Sequence, residues 1–194
     1  MVSQILKLFP TPLYYEENVV SEEYNDFMIN NCFKIKKVAA SGGKGWFTNL
    51  YNTAGTHNVV YDKNFDELNK KISYHVQEFA KANGSNKQYK LDEGWINIYN
   101  KSDYQEFHYH TSSVFSVVYY AKIPENGGGL VLNSPKGPDM FPIEDVNYDN
   151  EFNHSWFKIY PKQRSLVIFR SFVEHMVEPG EHESERISIA YNAT

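Results

Sequence analysis

Cysteine is nearly absent. Cys32 is the only one in 194 residues, so neither an internal disulfide framework nor a multi-cysteine zinc finger can form. A lone thiol also suits a reducing compartment. Arginine is almost as scarce: Arg164, Arg170 and Arg186 are the only three among 19 Lys+Arg. Basic residues are outnumbered, the formal net charge is −5, and a chain of that sign lacks the clustered basic surface that wrapping DNA or RNA requires. No stretch approaches 18 continuous apolar residues, so no transmembrane helix is expected. The first residues contain a lysine, a short apolar run and an early Pro10, without a secretory core or a small-residue cleavage site. These absences predict a soluble, cytoplasmic protein with no nucleic-acid and no membrane partner.

What is present favours strands. Hydrophobic residues make up 41% and aromatic residues 16%, with 15 Tyr and 13 Phe, a globular composition rich in β-formers. The length fits one domain, 1–194. Residues 4–9 alternate loosely and are stopped by Pro10 and Pro12. Ser21 followed by Glu22 and Glu23 reads as a helix N-cap with an acidic first turn. Residues 40–58 are Gly-rich and read as loop. Phe65, Leu68, Ile72, Val76 and Phe79 step by three and four, which predicts a helix from about Asn64 to Ala82, with His75 beside its apolar stripe. From residue 88 onward about eight short period-two runs dominate: Gln88–Leu91, Trp95–Tyr99, Phe115–Lys122, Gly129–Leu132, Trp156–Tyr160, Ser165–Phe169, Met176–Val177 and Arg186–Asn192. The fold class expected is mainly β with flanking helices. Residues 88–194 form a jelly-roll, double-sheet core, and 1–87 supply helical and strand support packed on one sheet.

Three pieces of the second half carry chemistry. In Phe107-His108-Tyr109-His110, an extended backbone would put both imidazoles on one face, about 7 Å apart at Cα, close enough to share a metal. His175 follows 65 residues after His110, where a late strand of a jelly roll can return beside an early one. Arg186 and Ser188 share one strand face shortly afterwards, and an arginine there can bind a carboxylate bidentately. Together they describe a metal with three protein ligands, open coordination positions and an adjacent carboxylate receptor, as a non-haem Fe(II) oxygenase needs.

At these residues the chain resembles the 2-oxoglutarate/Fe(II)-dependent dioxygenases, over segments 95–122 and 161–192 and the intervening Gly127-Gly128-Gly129 turn. It is most similar to a family of 2-oxoglutarate oxygenases from marine bacteria and their phages, and more distantly resembles the prolyl hydroxylases. The resemblance covers roughly residues 95–194. It implies a double-stranded β-helix core and oxidative decarboxylation of 2-oxoglutarate to succinate and CO2, coupled to hydroxylation of a second substrate such as a peptidyl residue. It also implies Fe(II) as cofactor, with ascorbate as an accessory reductant. By this resemblance His108 and His175 match metal ligands, Arg186 with Ser188 matches the receptor for the C5 carboxylate of 2-oxoglutarate, and Tyr99, Tyr120 and Ser116 match residues that line the cosubstrate pocket. If the gene is carried by a phage, the setting is the host cytoplasm. Antiparallel sheet edges are compatible with a homodimer.

His110 departs from the family's pattern, which has a carboxylate there. Three readings stay open from the sequence. His110 is a third ligand; or it holds the place while water or a carboxylate such as Glu106 completes the metal; or the site takes another metal. Rival classes stay open too. Three imidazoles also suit a zinc hydroxide enzyme, which leaves Arg186 unexplained. A cupin-type dioxygenase would need a Glu soon after His110, and 111–116 contain none. A jelly-roll binding module without metal is the non-catalytic alternative. Arg186 could instead pair with Glu181, Glu183 or Glu185. His57, His154 and His182 lie in polar loops and are expected at the surface. The loop 41–58, with Trp46 and Phe47, and the segment 133–155 are expected to rim the pocket.

Overall fold

The computed structural model describes residues 3–5, 7–43, 45–136 and 155–194. Among these residues are two antiparallel sheets and two α-helices. The strands are β1 (Leu13–Glu16), β2 (Tyr51–Asn52), β3 (Leu91–Tyr99), β4 (Gln105–His108), β5 (Phe115–Lys122), β6 (Leu130–Asn133), β7 (Trp156–Ile159), β8 (Ser165–Arg170), β9 (His175–Val177) and β10 (Arg186–Ala193). The major sheet has the order β1-β8-β5-β10-β3-β2 and the minor sheet β4-β9-β6-β7. This is the double-sheet, jelly-roll arrangement expected from the spacing of the strands. No helix among the described residues is long and apolar enough to cross a membrane.

Alternation along the major sheet divides the molecule. On β10, Ile187, Ile189, Tyr191 and Ala193 face the helices, and on β5, Phe115, Val117 and Tyr119 do the same. They pack with Met28, Cys32, Leu68, Ile72, Val76 and Phe79 of helices α1 (Glu22–Val38) and α2 (Asp66–Ala82), all buried. Each such side chain contributes about 1.5–3 kcal/mol when taken from water. Asn25 fixes the angle of α1. Its Nδ2 donates to Ala121 O at 3.0 Å, and the Tyr119 hydroxyl donates to its Oδ1 at 2.8 Å. The opposite face of the major sheet meets the minor sheet around Tyr99, Tyr120, Val167, Phe169, Leu130, Leu132 and Val177. The residues singled out from the sequence lie in this second interior.

Several expectations shift. The run 4–9 forms no strand among its described residues; the first strand follows the two prolines, and its register opposite β8 lets Tyr14 reach α2. Residues 88–90 are not strand, and β3 begins at Leu91. The Gly-rich loop contains the two-residue strand β2, because Tyr51 and Asn52 continue the sheet beyond β3. Ser21 does cap α1, its Oγ accepting from Tyr24 N at 3.2 Å, and α2 spans Asp66–Ala82.

Candidate metal and cosubstrate site

The imidazoles come together through strand pairing. His108 ends β4 and His175 begins β9, and the two are direct cross-strand partners. A register shift between Gln105 and His108 turns the end of β4 inward. His110 lies beyond the strand, so the extended run expected through 107–110 stops at His108. A backbone bond from His110 N to Ser171 O, 3.0 Å, ties that turn to the β8–β9 corner. Ring centroids are 4.2 Å apart for His108–His175, 5.3 Å for His110–His175 and 5.5 Å for His108–His110. One nitrogen from each ring lies within 4.8 Å of the others.

Each ring has its Nδ1 engaged: His108 with Glu106 O at 2.7 Å, His175 with Val173 O at 3.0 Å, and His110 with Asn192 Oδ1 at 2.6 Å. The Nε2 atoms are the ones left for a ligand. Burial, with the neighbouring imidazoles adding to it, pushes His175 down to about 3. Burial likewise lowers His108 and His110. All three rings are therefore neutral near pH 7, the state in which imidazole binds a divalent metal. The donor set fits an Fe(II)-type ion with open positions. Glu106 is not part of this cluster; its Oε1 accepts from Phe47 N at 2.7 Å, and its Oε2 is buried without a partner.

Below the imidazoles a cavity of about 310 Å3 runs along the faces of β3, β5 and β10. Its inner end is Arg186, 1% exposed, whose Nε, Nη1 and Nη2 all lack a partner. The acidic residues weighed as partners are engaged elsewhere: Glu181 and Glu183 with Lys101, and Glu185 with Lys122. The guanidinium lies between two rings, 5.1 Å from the Tyr99 centroid and 5.6 Å from that of Tyr120. A buried cation without an anion is costly, and here it opens on a cavity sized for a small dicarboxylate. The Tyr120 hydroxyl is also buried and unpartnered. Burial holds the Tyr120 phenol above its usual range and pushes Tyr99 up to about 12, against the pull of Arg186 in both, so both stay protonated.

The structure gathers every residue singled out from the sequence: His108, His110, His175, Arg186, Ser188, Tyr99, Tyr120 and Ser116 all line this cavity. Two have company that the sequence did not reveal. Tyr99 donates its hydroxyl to Gln105 Oε1 at 2.5 Å, and Ser116 Oγ is 3.0 Å from His110 Nδ1. Asn97 and Asn52 line the same wall, with Asn52 Nδ2 donating to Asn97 Oδ1 at 2.6 Å. Trp46 packs edge-on against His108 at 4.8 Å and lines the cavity, whereas Phe47 points to solvent. Register could have found Asn97, which pairs with Ser188, but lone amides carry no motif.

Of the histidines expected at the surface, His182 is buried and His57 is only partly exposed. His182 is 3% exposed, because its loop folds onto the turn at 126–128 and its Nδ1 meets Ser184 O at 2.6 Å. His57 is half-buried against Asp62, 3.0 Å away. His154 and most of the segment 133–155 lie outside the described residues.

Comparison with known proteins agrees with this geometry. The family model described as "Putative 2OG-Fe(II) oxygenase" matches residues 93–192. No curated protein matches the chain. Among solved structures, a Pseudomonas putida prolyl-4-hydroxylase aligns with TM-score 0.64 at 13% identity, covering 94% of this chain and 92% of its own. The viral collagen prolyl hydroxylase of Paramecium bursaria Chlorella virus-1, in its 2-oxoglutarate complex, aligns at 0.57 and 17%, covering 93% and 94%. A prolyl hydroxylase from Trichoplax adhaerens, in complex with a peptide fragment of the hypoxia inducible factor oxygen degradation domain, aligns at 0.59 and 17%, covering 93% and 83%. These likenesses show a shared fold. The family match spans just over half of the chain and takes in the three clustered imidazoles and Arg186, so this chain belongs to the 2OG-Fe(II) oxygenase family and is a 2-oxoglutarate-dependent non-haem iron oxygenase.

Proposed function

We propose that the protein hydroxylates a side-chain-sized group of a larger substrate, such as a peptidyl residue, with His108, His110 and His175 holding Fe(II) and Arg186 holding the far carboxylate of 2-oxoglutarate. The observation that carries this reading is the Arg186 guanidinium, buried and unpartnered at the inner end of a cavity whose outer part bears three neutral imidazoles. The zinc hydroxide alternative leaves this cation unexplained. Iron(II), when bound, supplies open coordination positions and the redox chemistry that couples decarboxylation of 2-oxoglutarate to substrate oxidation.

The chain's own part is binding and exclusion. Arg186 offers a planar pair of donors to a carboxylate, and the Tyr120 hydroxyl adds a third. Tyr99 and Tyr120 sandwich the guanidinium and fix its plane. Ser188 lies beside Arg186 on the same strand face. Val118, Leu130 and Val177 complete the walls and keep water from the cosubstrate. At about 310 Å3 the cavity is at the small end of ligand pockets, roughly 300–1,000 Å3. With 2-oxoglutarate in its inner part, the remaining space suits one side chain more than a whole bulky metabolite. Trp46 and the half-exposed Tyr109 stand at its lining to meet that partner. Ascorbate as accessory reductant, a cytoplasmic setting and a homodimer joined at a sheet edge belong to the same proposal; the single buried thiol and the antiparallel edges are what support the last two.

The test is uncoupled turnover: protein, Fe(II), ascorbate and 2-oxoglutarate, with succinate measured. Wild type should release succinate slowly without a prime substrate and faster with an accepted peptide. Arg186→Ala should raise the KM for 2-oxoglutarate by roughly 30- to 1,000-fold, the equivalent of about 2–4 kcal/mol for a lost charge-assisted pair. Absence of succinate under every condition, or an unchanged KM in the variant, would sink the assignment.

A further inference from the structure

An imidazole binds a metal through one nitrogen only when its proton sits on the other. For His108 and His175 the backbone decides: Glu106 O and Val173 O can only accept, so Nδ1 carries the proton in both rings. His110 has no such carbonyl. Its Nδ1 meets two side chains, Asn192 Oδ1 at 2.6 Å and Ser116 Oγ at 3.0 Å.

Those side chains belong to one hydrogen-bonded chain whose direction can be counted out. Ser113 Oγ donates to Asn192 Oδ1 at 3.3 Å. A hydroxyl has one proton, so in the 2.8 Å contact between Ser113 and Ser171 the donor is Ser171. In the 2.9 Å contact between Ser171 and Ser116 the donor is then Ser116. With its proton spent, Ser116 can only accept from His110. Both neighbours of Nδ1 are acceptors, Nδ1 carries the proton, and Nε2 is bare.

We infer that Asn192 is a positioning residue for metal binding: its carbonyl oxygen terminates the Ser116–Ser171–Ser113 hydroxyl chain and thereby commits His110 to the tautomer that ligates through Nε2. The inference rests on His110 being a ligand, as in the proposed function. Asn192 is placed for the task by register. It lies opposite Ser116 across β10 and β5, on the strand face that carries Arg186, Ser188 and Ala190. Without an acceptor at position 192 the Ser113 proton loses its destination and the chain can reverse. Ser116 then donates to Nδ1, and the His110 proton moves to the nitrogen that should face the metal.

The experiment titrates Co(II) into metal-free protein at pH 7.5 and follows the visible d–d band, with no turnover involved. Asn192→Leu, nearly isosteric but without an acceptor, should weaken Co(II) by about 10- to 100-fold, the usual effect of removing a partner behind a metal-bound His, and should alter the band. Asn192→Asp keeps an acceptor and should restore wild-type affinity and spectrum, which a merely structural role would not predict. His110→Ala sets the scale and should weaken Co(II) at least as much as Asn192→Leu. If Asn192→Leu does not fold, as judged by the melting of the metal-free protein, Asn192→Ala removes the same acceptor without filling the space and should give the same weakening. Wild-type Co(II) affinity in a folded Asn192→Leu or Asn192→Ala variant, or in His110→Ala, would overturn the inference. A wild type that binds Co(II) in this Asn192-dependent way yet yields no succinate would instead overturn the proposed function and leave the tautomer device standing.

Discussion

At the scale of single residues, the site is built from groups that would be costly anywhere else. Arg186 and Tyr120 are both buried with donors unspent, and such atoms are expensive in a folded interior unless a ligand completes them. In the proposed function their roles separate by charge. Arg186 supplies most of the attraction for an anion, and the Tyr120 hydroxyl supplies one neutral donor. Tyr120→Phe removes only that donor and keeps the ring that packs on the guanidinium. It should raise the Kd for 2-oxoglutarate by roughly 2- to 13-fold, the equivalent of about 0.5–1.5 kcal/mol for a single hydrogen bond, while the metal-free protein melts no lower than wild type because an unpartnered buried hydroxyl has been removed. Isothermal titration with Ni(II) and 2-oxoglutarate would measure the first effect and calorimetric melting the second. A variant that lost stability without losing affinity would show that the hydroxyl is structural.

At the scale of elements, the strands place these residues by alternation, and alternation is what made most of the site readable. Phe115–Lys122 and Arg186–Asn192 were legible as strands because β-branched and aromatic residues recur every second position, and the same period put Arg186 and Ser188 on one face. The His pair was legible by its spacing, but not by its backbone: an irregular segment after β4, not a continued strand, carries His110. Asn192 was not legible, since its work depends on cross-strand register, and Gln105, which meets Tyr99 from the other sheet, was not legible because it depends on how the two sheets stack. The burial of His182 was hidden for the same kind of reason, a loop folding onto a distant turn. Register also explains Gly94. It lies opposite Tyr191, and a Cβ there would sit 2.7 Å from Tyr191 Cδ1 and 2.7 Å from Val59 Cγ2. Gly94→Ala should therefore destabilise the fold by about 1–3 kcal/mol through overpacking of the helix-side core. The cavity is on the other face of the sheet, so 2-oxoglutarate affinity at a temperature where the variant is folded should match wild type. Urea denaturation checks the first expectation, and a neutral or stabilising result would mean that α2 and the Val59–Tyr61 turn can move aside.

At the scale of the whole molecule, the cost of the site returns as a dependence of stability on pH. His108, His110 and His175 sit between the two sheets with their pKa values below the ordinary value, burial being the first cause in each. His75, packed against Tyr14 on α2, is lowered by burial as well. In all four the unfolded chain binds a proton more readily than the folded one, so the unfolding free energy rises with pH across the window between the folded and unfolded values. The stability that neutral imidazoles permit is complete above the ordinary value of 6.5 and is lost as the pH falls below it. For His175 the window extends down to about 3. Each imidazole that stays unprotonated in the fold contributes a limiting slope of about 1.4 kcal/mol per pH unit. The metal-free protein, in chelator, should thus lose denaturant resistance steadily from pH 7 to pH 5, a range that lies above the titration of ordinary carboxylates. In the proposed function a metal binds the same neutral nitrogens of the folded chain, so saturating Co(II) should add stability at pH 7.5. His175→Gln should flatten the metal-free slope and abolish the Co(II) increment together. A slope in metal-free wild type that is flat between pH 7 and 5, or that survives the His175 substitution unchanged, would show that burial of the imidazole cluster is not what sets the acid limit of this fold.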